Sequence, residues 1–423
     1  MATVQVISPV EPPSQGLSKL SISHTTPALD TNPDLPIIRS QRLDTPYEPS
    51  LKLWEADQKA YQKPATLELD PLPEGFPERA GGPTLWDGRE LANQPEKWLH
   101  QFTAEEIVDV EQAAAHFDSL KLPYSAITQE TFPLSALKPT LAKVVEEIHH
   151  GLGLRILRGL PVQKWDRHTQ IIVFAGISAY IGRRLKQQST SAIVHLRDLT
   201  QFDPKERPKI VLKGQTNANQ VFHTDAGDIV GLITLGRAEK GGLSQLSSIA
   251  RTYNELAETR RDILRTLAKP DWISAQYPNG VALFYHLDGR VVAQYARRPF
   301  FGFYDAPDRP GGVPPLKHEQ HVALDAIHFT AEKLSLDIDL QPGDMEYFNN
   351  LQVFHARTES EDSPENTRHL LRIWLRNEEH ALNHGPDWDA RWKNLVEPFD
   401  EKFPLEAWEP IEDKSGLPKA RGY

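Results

Sequence analysis

From residue 103 onward, apolar positions recur first with the period of a helix and later with the period of a strand. A capping box, Thr103-Ala104-Glu105-Glu106, is followed by Ile107, Val110, Ala114 and Phe117 at helical spacing. A second helix is predicted over about Leu137 to His150, ending at Gly151, then a strand over Leu154 to Gly159. A third, apolar helix covers about His168 to Ile181, after which helix signals become sparse and β-type runs dominate. Ile229 to Leu235 is one such run, closed by Lys240-Gly241-Gly242, and Val281 to Leu287 and Arg290 to Ala296 flank the hairpin signal Asp288-Gly289. A helix near Lys317 to Lys333 interrupts. Leu334 to Leu340, a Gln341-Pro342-Gly343-Asp344 turn and Met345 to Asn349 then resume the β pattern. This order predicts a mainly β fold with helices (α+β), a two-sheet sandwich or barrel with helices packed on one face.

Before residue 84 the pattern is different. Thirteen of the 34 prolines fall there among Ser, Thr, Asp and Glu, with little periodicity. Residues 1–85 are therefore expected to form an extended, partly disordered lead-in that wraps the body, and the ordered domain to occupy 86–423.

Composition narrows the chemistry. The 423 residues carry a formal net charge of −11, so a nucleic-acid backbone is not an expected partner. No cysteine is present, which removes disulfides, zinc–thiolate sites, iron–sulfur clusters and thiol nucleophiles, and leaves His and carboxylates to bind any metal. The first residues lack a basic start followed by an apolar run, and no stretch approaches the length of a membrane span. The expectation is a cytoplasmic protein acting on a small molecule, with no membrane partner.

Val221-Phe222-His223-Thr224-Asp225-Ala226-Gly227-Asp228 offers such a set. On an extended strand His223 and Asp225 point the same way and can present an imidazole and a carboxylate to one ion. His355, 132 residues on, is the best candidate for a third ligand. Two imidazoles and one carboxylate leave three positions open, the ligand set of non-haem Fe(II) oxygenases. His286-Leu287-Asp288 repeats the spacing, but Gly289 follows it and marks Asp288 as a turn residue. His380 and His384 stand four apart without a third ligand and read as solvated helix histidines. On a strand Arg368, Leu370, Arg372, Trp374 and Arg376 share one face while Leu371, Ile373 and Leu375 share the other. Three arginines on one face read either as an exposed edge or as an enclosed site for a dicarboxylate, which Arg recognises bidentately.

Phe222-His223-Thr224-Asp225, Gly241-Gly242-Leu243-Ser244, Gly343-Asp344 leading to His355, and Arg368 through Arg372 resemble, in that order, the motifs of the taurine dioxygenase/2,4-D dioxygenase (TauD/TfdA) family. Leu157-Arg158-Gly159-Leu160-Pro161 extends the likeness upstream, so that it spans about residues 86 to 380, with a C-terminal extension from about 381. The resemblance implies a double-stranded β-helix (a jelly-roll of the clavaminate synthase-like kind), with Fe(2+) as cofactor and 2-oxoglutarate and O2 as co-substrates. It implies His223, Asp225 and His355 as iron ligands. Arg368 would clamp the distal carboxylate of 2-oxoglutarate with the Ser244 hydroxyl beside it, Ser standing where many relatives have Thr. Arg372 belongs to the same set, at a position that in some relatives meets the substrate's anionic group, and Asn219 lines the pocket. The implied reaction oxidises a C–H bond and releases succinate and CO2; hydroxylation is the default, and desaturation or cyclisation uses the same oxidant.

Arg372 and Arg376 on the inner face would receive a carboxylate or sulfonate and Asp228 an ammonium group, which points to an anionic or amino-acid-like substrate. A second reading pairs Arg376 with acids such as Glu378 and makes Asp228 a turn cap. Two other classes stay open. A hydrolase or isomerase could use the same three ligands for Zn²⁺ or Mn²⁺ and would work without 2-oxoglutarate or oxygen, and a non-catalytic β-helix binding protein could keep the site without turnover.

Overall fold

The structure, a computed structural model, describes residues 47–66, 70–187, 191–203, 211, 213–274, 277–301 and 314–407, with 410–412 and 418–420. The expectation of disorder in residues 1–46 lies outside the described residues.

Two sheets face one another. Strands β1 (Leu99–Gln101), β2 (Leu154–Arg158), β3 (Arg183–Arg184), β4 (Ile193–Arg197), β5 (Gln220–His223) and β6 (Ile229–Gly236) precede β7 (Lys240–Gly241) and β8 (Ser244–Ser248). After the hairpin β9 (Phe284–Leu287) and β10 (Arg290–Ala293) come β11 (Leu336–Ile338), β12 (Met345–Asn349), β13 (Val353–Arg357), β14 (Ser360–Glu361) and β15 (His369–Arg376). The large sheet runs β1-β2-β12-β6-β15-β3 with β4 also on β15, and the small sheet runs β11-β8-β13-β5. Strands distant in sequence are neighbours in both, the double-stranded β-helix that the motif order implies.

The period-two alternation of each strand sorts its side chains between two environments. On the large sheet Ile229, Ile233, Met345, Tyr347, Leu371, Ile373 and Leu375 turn outward into a core built with α3 (Ala104–Ser119), α4 (Lys138–His150) and α5 (Arg167–Ser178). The Thr103–Glu106 capping box is present in full. Val230, Leu232, Leu246, Phe348, Val353 and Leu370 turn inward and fill the space between the sheets.

The expected helical layer on the large sheet is thus present, and the small sheet carries a second one. There α6 (Ile249–Thr259), α7 (Arg261–Ala268) and α9 (His318–Lys333) pack on Phe222, Phe354 and Ala356. The adjacent pair α6 and α7 is absent from the sequence-based expectation. Ser248 caps the first by accepting from Arg251 N, and Tyr253, Leu256, Ile263, Leu264 and Leu267 form its buried stripe. The remaining helices are α1 (Leu51–Ala60), α2 (Gly88–Leu91), α8 (Arg298–Phe301) and α10 (Pro386–Val396).

The packed chain begins upstream of Trp86. Trp54 of α1 is buried against this second layer. Arg297 Nε donates to Tyr47 O at 2.8 Å, Arg260 to Asp57 at 2.7 Å, and Ala80 N to Asn254 Oδ1 at 2.8 Å. The described residues between Tyr47 and Leu85 pack on the domain and include the helix α1. Among the described residues no helix is long and apolar enough to cross a membrane.

One turn fixes the mouth of the β-helix. Gly343 has φ +92°, and a Cβ there would meet Leu160 O at 1.9 Å. Arg158 forks onto Asp344 at 2.7–3.0 Å, tying the end of β2 to the start of β12. Gly343→Ala combines left-handed strain of about 1–2 kcal/mol with overpacking of about 1–3 kcal/mol. It is expected to destabilise the fold by about 2–5 kcal/mol, read as a lowered urea midpoint; a change below about 0.5 kcal/mol would contradict the packing described.

Candidate metal centre and co-substrate pocket

Antiparallel pairing of β13 with β5 sets His355 directly opposite His223. The two imidazole centroids are 4.0 Å apart. Asp225 follows β5 in a loop whose shape is imposed from outside. Asn350 Oδ1 accepts from Asp225 N at 2.8 Å, and Asn350 Nδ2 donates to Asp225 O and Gly227 O, both at 2.7 Å. Thr224 N donates to Tyr295 O at 2.6 Å, anchoring the other side. The result gathers one ligand atom from each of His223, Asp225 and His355 within 4.8 Å of one another, as a metal ion requires.

The donor set fits a divalent ion. His223 Nδ1 lies 2.9 Å from Val221 O, which fixes Nδ1 as the protonated nitrogen and leaves the Nε2 lone pair for a metal. That Nε2 faces Asp225 Oδ1 at 3.8 Å, with the Gln220 amide at 3.1 Å. His355 Nε2 faces Asp225 Oδ2 at 3.8 Å. Burial, the largest influence on both rings, pushes the His223 imidazole down and the His355 imidazole well down, so both are neutral ligands. Burial alone would raise Asp225, but Arg372, His355, His223 and Trp374 outweigh it and bring the carboxyl down to about 2. Arg372 donates to Asp225 Oδ2 at 2.8 Å and Trp374 Nε1 at 3.0 Å. Oδ1 receives no hydrogen bond among the described residues. Each carboxylate oxygen thus faces one imidazole: Oδ1 lies toward His223, while Oδ2 lies toward His355 and is held by Arg372 and Trp374.

On the arginine face of β15 Arg372 is buried, while Arg368 and Arg376 are half-buried. Leu370 and Trp374 sit with the inner core and Leu371, Ile373 and Leu375 with the helices. Arg368, just before β15, lies against Gly242, where a Cβ would meet its Cδ at 3.1 Å. Its guanidinium makes no side-chain hydrogen bond among the described residues. Burial first and the Arg357 charge second push Arg368 down to about 9. A guanidinium keeps its proton at neutral pH, so the shift expresses demand for an anion. Arg357, itself 5% exposed, has a buried Nε with no hydrogen-bond partner among the described residues. Ser244 reaches the same region, but its Oγ lies 3.0 Å from both oxygens of Glu346.

Other expected residues are placed differently. Asp228 and Arg376 meet each other at 2.9 and 3.1 Å, with Arg376 Nε on Glu378 at 2.8 Å, so the pairing alternative holds for Arg376. Burial raises the Asp228 carboxyl to about 6 against the pull of Arg376. Asn219 is exposed beside β5. Asp288 occupies the β9–β10 turn with φ +49°, away from the cluster. His380 and His384 are not solvated helix residues: His380 lies in a turn 3.0 Å from His150, and His384 is buried, stacked on Trp388 at 4.9 Å. Asn350, Arg357 and Glu346 were missed by sequence reasoning, as was Arg298. Arg298 is solvent-accessible and close enough to Asp225 and Arg372 for their charges to act on its own.

Known proteins resemble this chain in sequence and in fold. Residues 118–374 match the family described as "Taurine catabolism dioxygenase TauD, TfdA family". The chain is 33% identical over 341 residues to the taurine hydroxylase-like protein SAT17 of Stachybotrys chartarum, covering 77% of this chain and 86% of that protein. It is 24% identical over 315 residues to FR-33289 synthase of Streptomyces rubellomurinus, covering 70% and 89%. A solved asparagine oxygenase in complex with Fe(II), 2S,3S-3-hydroxyasparagine and succinate shares the fold at TM-score 0.51 and 14% identity, covering 66% of this chain and 93% of that one. The protein belongs to the TauD/TfdA family of Fe(II)- and 2-oxoglutarate-dependent dioxygenases.

Proposed function

We propose that His223 Nε2, Asp225 Oδ1 and His355 Nε2 hold Fe(II), that Arg368 with Ser244 receives the distal carboxylate of 2-oxoglutarate, and that the primary substrate is a small molecule with an anionic group. Iron and 2-oxoglutarate supply the chemistry when bound: oxidative decarboxylation of the 2-oxo acid to succinate and CO2, coupled to oxidation of a C–H bond, by default its hydroxylation. The chain supplies placement and dryness. Arg372 and Trp374 hold Asp225 by Oδ2, which orients the carboxylate and leaves Oδ1, without a hydrogen bond among the described residues, for the metal. Leu246, Phe348, Val353 and Leu370 keep water from the space between the sheets.

The observation that supports the substrate class is the placement of Arg298, exposed and near enough to Asp225 and Arg372 for their charges to act on it. An exposed guanidinium at that place offers bidentate recognition to a sulfonate, phosphonate or carboxylate. An amino acid satisfies this with its carboxylate. The relatives' printed names support the breadth of the class, one taurine hydroxylase-like and one structure holding a hydroxylated asparagine. Asp228 and Arg376 act on the loop from outside the pocket, and Asn219 stands at its rim. The domain boundary is proposed at Tyr47, with the chain beyond about 381 an extension of the family core, and the protein is placed in the cytoplasm, where 2-oxoglutarate is available.

Succinate release across a panel of sulfonates, phosphonates, carboxylates, amino acids and uncharged analogues tests the class. Anionic compounds are expected to stimulate it. Arg298→Ala is expected to raise their KM by about 10–100-fold, the loss of one charge-assisted contact of about 1.5–3 kcal/mol, with 2-oxoglutarate affinity unchanged. Stimulation by uncharged or cationic compounds alone would overturn the class.

A further inference from the structure

Along β12, Met345 and Tyr347 turn to the helices while Glu346 and Phe348 turn into the space between the sheets. Glu346 is 0% exposed there, with a carboxyl equidistant, at 3.0 Å, from Ser244 Oγ. Its register partners on β2 and β6, Ile156 and Leu232, are apolar. The groups that act on it are few. Ser244 bonds it from β8, Arg368 favours its charge from the chain entering β15, and Asp344 on its own segment opposes it. Asp344 is already taken by Arg158, and Arg368 shares its surroundings with Arg357 and Asp362. No cation hydrogen-bonds to Glu346 among the described residues. An ionised carboxylate in such a place is costly, and burial, the largest influence, raises the group to about 7.

Its one hydrogen-bond partner among the described residues is the hydroxyl assigned to the co-substrate, and a serine hydroxyl has one proton to give. If Glu346 is ionised, Ser244 donates to it and turns only lone pairs toward an arriving carboxylate. If Glu346 is neutral, its O–H donates to Ser244 Oγ, and the serine proton is released for the co-substrate. We propose that Glu346 is a positioning residue for 2-oxoglutarate, its neutral form orienting the Ser244 hydroxyl toward the distal carboxylate beside Arg368 and its ionised form withdrawing that donor and repelling the carboxylate. The inference rests on the co-substrate site proposed above. Binding of 2-oxoglutarate then takes up one proton at Glu346 whenever that group starts ionised.

The test is a titration of 2-oxoglutarate into the Fe(II)-loaded protein without oxygen, from pH 6 to pH 9, following the visible charge-transfer band of the chelate. Pyruvate, a 2-oxo acid with no distal carboxylate, is titrated in parallel. For the wild type the dissociation constant for 2-oxoglutarate is expected to rise toward the one-proton limit of about tenfold per pH unit at the alkaline end, and that for pyruvate to lack this rise. Glu346→Gln keeps a permanent amide donor to Ser244; it is expected to bind 2-oxoglutarate at every pH as the wild type does at pH 6. Ser244→Ala removes the relay and is expected to bind more weakly, without the slope. A flat wild-type profile, a slope of equal size for pyruvate, or an unchanged slope in Glu346→Gln would overturn the inference. Arg368→Leu separates the two levels: wild-type affinity in that variant would overturn the co-substrate site itself, whereas lost affinity there with an unchanged slope in Glu346→Gln would overturn only the role of Glu346.

Discussion

His223→Ala is expected to abolish 2-oxoglutarate turnover and to release iron while leaving the fold intact. The ring stands opposite His355 on paired strands, and its Nδ1 contact to Val221 O is local, so its removal disturbs little packing. Loss of an outer partner of a metal ligand typically costs about 10–100-fold in affinity or activity, and loss of a ligand from a three-residue set costs more. Asp225→Ala would be a poorer probe. It leaves the guanidinium of Arg372 and the indole N–H of Trp374 without the carboxylate they now share, and stranding a buried charge typically costs about 3–5 kcal/mol of stability. Iron content after anaerobic reconstitution, with the thermal midpoint of the metal-free protein alongside, reads both quantities. His223→Ala that keeps stoichiometric iron and wild-type succinate release would remove the imidazole from the centre.

Arg368→Leu is expected to raise the KM for 2-oxoglutarate by about 30-fold to several thousand-fold. Truncating one partner of an enclosed, hydrogen-bonded charge pair costs about 2–5 kcal/mol, and each 1.4 kcal/mol is a factor of ten. Arg368 is the stronger candidate among the cations of this pocket because its guanidinium makes no hydrogen bond among the described residues, whereas Arg372 is already engaged by Asp225 and Gln187. The variant should bind Fe(II) as the wild type does, since Arg368 is separated from Asp225 along β15 by Arg372. Lys at the same position is expected to recover only part of the affinity, an ammonium lacking the planar fork that matches a carboxylate. An Arg368→Leu enzyme with an unchanged KM would show that the co-substrate's distal end lies elsewhere.

The parts of this site that could be read from the sequence are those set by short-range geometry. His223-x-Asp225 is a local spacing, although Asp225 falls in the loop after β5 and not on the strand, and the alternation from Leu370 to Arg376 follows from the strand period, Arg368 lying before β15. The helices of 104–178 carry a capping box or a continuous apolar stripe and are found within a few residues of their expected bounds. Glu346 fails the same logic for a physical reason. An acid between Met345 and Tyr347 has the pattern of a half-exposed strand, polar side to water, yet in a β-helix with its site inside, the polar side of β12 is the one enclosed. Asn350 bonds a residue 125 positions away, and Arg298 feels the charge of one 74 positions away, which no window of sequence contains. The ion pair of Asp228 with Arg376 spans 148 positions and shows why charges chosen from one strand face could not be given ligands in advance. The helix pair 249–268 is different: its cap and its stripe are both local, and a helix-period scan of that stretch would have found it.

The central claim is that one site binds Fe(II) and 2-oxoglutarate together. Anaerobic addition of Fe(II) and then 2-oxoglutarate, followed by visible absorption, tests it most directly. A weak metal-to-ligand charge-transfer band in the wild type, absent in His223→Ala and shifted to much higher 2-oxoglutarate concentration in Arg368→Leu, is the result predicted. No band in the wild type with both Fe(II) and 2-oxoglutarate saturating would contradict it.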